Sequence, residues 1–186
     1  LVLNLYVSDA FEFQIGRVLE PFGLQNEKRY EPMKRRMTSM PLGFYGFNNM
    51  VGTDYLGLGL NGEWNSGTFN LAYDVFFGQS RIPTTRYFDS GALSDTQYYR
   101  LRNGPLTGGG RLLLQVMDEE LTFGVSGKVS QRRNDDASID YLVGLSTMYK
   151  QSGVEVLFEA LYGRSLEDAT DFYLELSYLF ADAFTA

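Results

Sequence analysis

The chain has 186 residues, enough for one domain, with 16 Lys and Arg against 23 Asp and Glu, a formal charge of −7, and neither Cys nor His. Those two absences remove disulfide frameworks, thiolate and imidazole metal sites and His-based catalytic triads. A hydroxyl nucleophile would lack its imidazole base, so no enzyme, cofactor or metal site is expected.

Mean hydropathy is −0.20, an average typical of water-soluble chains. No uncharged apolar run approaches the ~18 residues of a transmembrane helix, but half-apolar strands cross a bilayer without raising the mean. With 20 Gly, 13 Tyr, 14 Phe and only five Pro, the profile is rich in β-formers.

The chain opens in alternation. Leu1, Leu3, Leu5 and Val7 face one way and Val2, Asn4 and Tyr6 the other; after Ser8-Asp9-Ala10, Phe11, Phe13 and Ile15 alternate with Glu12, Gln14 and Gly16. This first hairpin starts in mid-strand, from which we expect a signal peptide and further strands upstream. Parity blurs at Val18-Leu19-Glu20-Pro21, and Pro21 suits a strand end. A long connection over 22–52 follows.

The clearest hairpin covers residues 55–79. Leu56, Leu58, Leu60 and Trp64 oppose Tyr55, Gly57, Gly59, Asn61 and Glu63; after Asn65-Ser66-Gly67, Phe69, Leu71, Tyr73, Val75 and Phe77 oppose Thr68, Asn70, Ala72, Asp74 and Phe76. Its arms are longer than the five or six residues, roughly, of an ordinary strand and match the ~9–11 that cross a hydrocarbon layer. Trp64 and Phe69 beside the turn, with Tyr55 and Phe77 at the far ends, are expected to mark the two membrane interfaces, as are Tyr149, Tyr162, Phe172 and Phe180 on later strands.

Residues 80–106 lack periodicity and read as a second long loop. Gly108-Gly109-Gly110 has no phosphate-cradle context and reads as a flexible strand start. Alternation returns with Leu112, Leu114 and Val116, then Leu121, Phe123, Val125 and Val129, then Ile139, Tyr141, Val143, Leu145 and Tyr149, then Val154, Val156, Phe158, Ala160 and Tyr162, and, after a loop at 166–170, Phe172, Leu174, Leu176, Tyr178 and Phe180. Tight turns at Ser8, Asn65, Asp118 and Gln151 alternate with larger loops at Phe22, Ser80, Gln131 and Leu166, the asymmetry of transmembrane barrels. The expectation is all-β: a single antiparallel up-and-down transmembrane β-barrel domain, or a barrel fragment, over 1–186. About nine strands are visible, and bacterial barrels have even numbers, so the nine are expected to belong to a larger barrel.

Phe13-Gln14-Ile15-Gly16-Arg17 followed by Glu20-Pro21-Phe22-Gly23-Leu24 resembles the phosphate-selective porin family of Gram-negative outer membranes. The resemblance implies a trimeric pore of about 16 to 18 strands, one loop folded inward as a constriction, and passive passage of solutes. It departs from that family in lacking a ladder of Arg and Lys on the polar faces.

Charge is segregated. The first loop carries Glu27, Lys28, Arg29, Glu31, Lys34, Arg35 and Arg36, net +3; the second carries Arg81, Arg86, Arg100 and Arg102 against Asp89 and Asp95, net +2; against a total of −7, the remainder is −12. Lys34, Arg35 and Arg36 are candidates for a pore constriction, or for an outer loop gripping lipopolysaccharide phosphates. The candidate pore lining is Glu63, Asp74, Arg111, Lys128, Asp140, Glu155, Glu159 and Glu175, with Glu12 on the same parity. Seven acids against two bases would favour cations, unless Arg111 and Lys128 pair across the sheet and leave the channel nearly indifferent. Glu159 and Glu175 would meet only if the register centres on the Leu166 loop.

The function expected is an outer-membrane porin-like channel for small hydrophilic solutes or ions. Its partners would be outer-membrane lipid, lipopolysaccharide and further copies in a trimer, with no nucleic acid. The alternatives are a small non-conducting outer-membrane barrel acting as an anchor or complex subunit, and a soluble lipocalin-like barrel with its apolar face inward.

Overall fold

A computed structural model describes residues 2–24, 54–86, 98–116, 120–131, 139–164 and 168–178. They form nine strands: β1 (Val2–Ser8), β2 (Phe11–Leu19), β3 (Asp54–Asn65), β4 (Phe69–Arg86), β5 (Tyr98–Val116), β6 (Leu121–Gln131), β7 (Ile139–Gln151), β8 (Val154–Arg164) and β9 (Asp168–Tyr178). Each strand pairs antiparallel with the next in one nine-stranded sheet, and the described residues contain no helix. No ladder joins β1 to β9 among the described residues, so the sheet is open, and its two outermost strands run in the same direction.

Turn chemistry sets the register. Asn65 caps its own turn by accepting the Gly67 N–H on Oδ1 at 2.7 Å, and Gly67 takes φ = 80°. Between β7 and β8, Ser152 (φ 49°) and Gly153 (φ 82°) are both left-handed, the two-residue turn whose twist matches that of the flanking strands. With the hairpins fixed, one row of residues runs across all nine strands: Tyr6, Glu12, Asn61, Asp74, Arg111, Ser126, Gly144, Leu161 and Asp171.

Two connections differ from the sequence reading. The stretch 80–106 is mostly strand: after a bulge between Gln79 and Arg81, β4 and β5 continue together until Arg86 meets Tyr98, leaving only 87–97 between them. Thr84, Thr85, Tyr98 and Tyr99 favour strands, but polar residues fall on both faces and the period of two disappears. Pro83 is tolerated because β4 beyond Arg81 has a described neighbour on one side only. The link between β8 and β9 is three residues, 165–167, as short as the tight turns; the ladder takes up Asp168-Ala169-Thr170, so the strict alternation of short and long connections fails there. The triple glycine 108–110 lies inside β5, where a Cβ on Gly109 would come within 2.5 Å of the Gly127 carbonyl oxygen, so it serves close strand approach and does not start the strand.

The faces of the sheet differ in kind. One, the bare face, carries Leu58, Val75, Phe77, Leu112, Val125, Val129, Val143 and Leu145, all exposed, and its charged residues, Arg17, Asp54 and Arg164 with Arg81 and Asp168 paired opposite the last two, lie near the long-loop end. The other is covered across β4–β8 by the chain leaving β2. It buries polar groups (Ser80, Thr107, Ser126, Ser130, Ser146) beside Phe76, Leu142, Leu157 and Leu161. Polar inside and oily outside is the inverse of a water-soluble sheet.

Candidate functional site: a strap across the polar face

β2 ends at Leu19, two residues before Pro21, and residues 20–24 then cross the polar face as a strap. The Glu20 carboxylate accepts from Lys128 Nζ (2.7 Å, β6) and from the Ser80 hydroxyl (2.9 Å, β4). The Gly23 carbonyl accepts from Arg111 Nη1 at 2.9 Å (β5), while the Gly23 N–H donates to Ser126 Oγ at 3.0 Å (β6). Leu24 N–H donates to Glu159 Oε1 at 2.6 Å (β8), which also accepts from the Ser146 hydroxyl at 3.1 Å (β7). Side chains from four strands thus hold Glu20, Gly23 and Leu24, and the fifth, β7, braces Glu159.

Phe22 is fully buried at the centre of the strap. It sits where Gly144 has no side chain: a Cβ there would lie 3.2 Å from one ring carbon of Phe22 and 2.6 Å from Leu161 Cδ2. Small residues on the strands make room, and hydrogen-bonding side chains satisfy strap backbone groups cut off from water. The Glu20–Lys128 pair is almost dry, with side-chain exposures of 0% and 6%. Desolvation offsets most of the attraction in such a pair, so its clearest effect is to fix where the strap lies.

The candidate lining residues divide by distance from this strap. Lys128 and Glu159 are bound to it, and Arg111 both touches it and clasps Asp74, with Nε at 2.9 Å and Nη2 at 2.7 Å from Oδ2. Glu12, Glu63, Asp74 and Arg111 line a cleft of about 800 Å³ at the tight-turn end, with Tyr6, Asn61, Asn65 and Tyr73. Glu63 accepts from the Asn70 amide, and Asn61 Nδ2 reaches Glu12 Oε2 at 3.4 Å. Asp140 is half-buried opposite Ser130, and Glu155 is buried opposite Lys150. Glu175 stands opposite Leu157 and Glu159 opposite Tyr173; with Arg164 paired to Asp168, the register is two residues from the one that would bring these carboxylates together. Lys34, Arg35 and Arg36 lie outside the described residues, as does Phe180.

Of the aromatics expected at the interfaces, Trp64 is exposed on the bare face and packs edge-on against Phe69, centroids 5.6 Å apart at 84°. Tyr149 is exposed near the tight-turn end, Tyr162 pairs with Tyr141 at 6.0 Å near the other, and Phe172 is exposed. Two placements are corrected. Tyr55 is 1% exposed and stacks on Phe76 at 5.0 Å; its parity is that of Gly57 and Gly59, so it points to the covered face and cannot join an outer girdle. Phe77 is exposed but lies in the middle of β4, since that strand runs on to Arg86.

The sequence reading missed Glu20 and Phe22 as members of the candidate site. The signal was there: parity fails at Glu20-Pro21-Phe22-Gly23 just as Ser126, Ser130, Gly144 and Ser146 leave the polar parity of β6 and β7 unusually small. Among the described residues no group of three or more acidic side chains is placed to hold a metal ion. Comparison with known proteins finds no family model, no curated protein and no solved structure that matches this chain.

Proposed function

We propose that the sheet is part of the wall of an outer-membrane porin-like β-barrel, closed by further strands, through which small hydrophilic solutes or ions diffuse. The observation that carries this reading is the inverted sheet. Along β7 the bare face is uncharged from Ile139 to Tyr149, about 33 Å at ~3.3 Å per residue, or about 25 Å across a bilayer for a strand tilted by ~40°, the height of the apolar band of outer-membrane barrels. In lipid that face needs no partner, and full strand pairing satisfies the backbone. A lipocalin-type arrangement would bury the other parity: here Ser126 is buried while Val125 is exposed. Lipopolysaccharide contact and trimer formation belong to the same reading.

The strap favours a second reading. Glu20, Phe22 and Gly23 fill the polar face over β4–β8, as they would in a plugged barrel serving as an anchor or complex subunit. Planar-bilayer recording separates the two. A channel gives steady ohmic current steps; a plugged barrel that inserts without such steps overturns the channel reading.

A further inference from the structure

Among the described side chains two cations, Arg111 and Lys128, stand on the polar face away from its rims, and they are compensated differently. Arg111 is opposed by Asp74 on the neighbouring strand, a pair built into the wall by the β4–β5 register. Lys128 has Gly109 and Leu142 as its cross-strand neighbours and Ser126 and Ser130 along its own strand, so those four wall positions offer it no carboxylate. The one it meets belongs to the strap: Glu20 Oε1, 2.7 Å from Nζ, with the Ser80 hydroxyl holding Oε2.

We infer that Glu20 is a specificity-determining residue: its carboxylate cancels the Lys128 charge and leaves the pore's sign preference to the acids of the open cleft. This rests on the channel reading above. A fixed charge beside a water-filled passage changes the local concentration of permeant ions of each sign, even where the ions do not touch it. With the pair intact, Lys128 is silent, and Glu12 and Glu63 in the cleft bias the passage toward cations. Without the Glu20 charge, the positive charge of Lys128 is no longer offset by the carboxylate 2.7 Å from its Nζ. This gives a physical reason why a covered face that holds Lys128 need not select anions: the strap supplies a tethered anion of its own.

The test is the reversal potential of the full-length protein in planar bilayers across a KCl gradient. Glu20→Gln keeps the shape and an acceptor oxygen, and is expected to lower the cation-to-anion permeability ratio roughly two- to five-fold, the effect of one charge at several ångströms in a high-dielectric passage. Glu20→Gln/Lys128→Met has the wild-type net charge and is expected to return the ratio to the wild-type value. Should Glu20→Gln fail to insert, Lys128→Gln reads the same coupling with opposite sign, raising the ratio. Conducting variants with an unmoved ratio, or a double variant shifted as far as Glu20→Gln, overturn the assignment of Glu20. A wild-type protein that inserts but carries no ohmic current overturns the channel reading itself.

Discussion

Replacing Phe22 by Ala tests whether the strap is a fixed part of the structure. The ring is fully buried, and its nearest surroundings include the main chain at Gly144, to which no side chain is attached. The paired β-strand backbone that floors such a cavity cannot move in to fill it. The cost therefore falls in the upper half of the ~3–5 kcal/mol measured when buried aromatic rings are cut to Ala. The five hydrogen bonds and ion pairs of Glu20, Gly23 and Leu24 remain, so the sheet is expected to fold with unchanged topology but lower stability. Urea titration of the protein in lipid vesicles, followed by the fluorescence of the single tryptophan, Trp64, reads the midpoint and slope. A loss below about 1 kcal/mol at unchanged slope would refute the packing argument, because a ring held only by solvent-side contacts costs that little.

Three further outcomes follow from the same geometry. Gly144→Ala places a methyl 2.6 Å from Leu161 Cδ2 and against Phe22, and is expected to cost about 1–3 kcal/mol, with Phe22→Ala relieving part of it in the double variant; simple additivity in the urea midpoints would count against a shared contact. Val125→Arg, on the bare face, is expected to cost about 2–4 kcal/mol for folding into vesicles, and a variant as stable as the parent would place that face in water. In single-cysteine variants of this Cys-free chain, Leu58→Cys and Val125→Cys should react with a lipid-soluble reagent, Asn61→Cys in the cleft with a water-soluble one, and Ser126→Cys, beneath the strap, slowly with either; rapid aqueous labelling at Leu58 would reverse the two faces.

What could be read beforehand was the period of two. Leu58, Leu71, Val125 and Leu145 repeat strictly because one face of each strand meets a single kind of environment, and turns such as Ser152-Gly153 announce themselves by residue type. That logic loses force where polar residues fall on both parities, as around Thr84 and Tyr99. It also misled at Tyr55, where an aromatic ring suggested an interface although parity already assigned it to the covered side. The strap was least legible. Its partners, Lys128 and Glu159, lie more than a hundred residues from Glu20 and Leu24, and nothing local in a sequence reports that a turn without periodicity will lie on a distant row of serines and glycines.

Under the proposed barrel reading, the odd number of strands among the described residues restricts how the sheet is completed. With β1 and β9 pointing the same way, joining them directly, or joining two upright copies edge to edge, creates seams in which neighbours run parallel, with slanted and slightly weaker ladders. One, three or any odd number of intervening strands restores antiparallel pairing at both seams and brings the circumference to an even total. The direction of the chain at one seam is therefore enough to distinguish completion by additional hairpin strands from self-pairing of two such sheets.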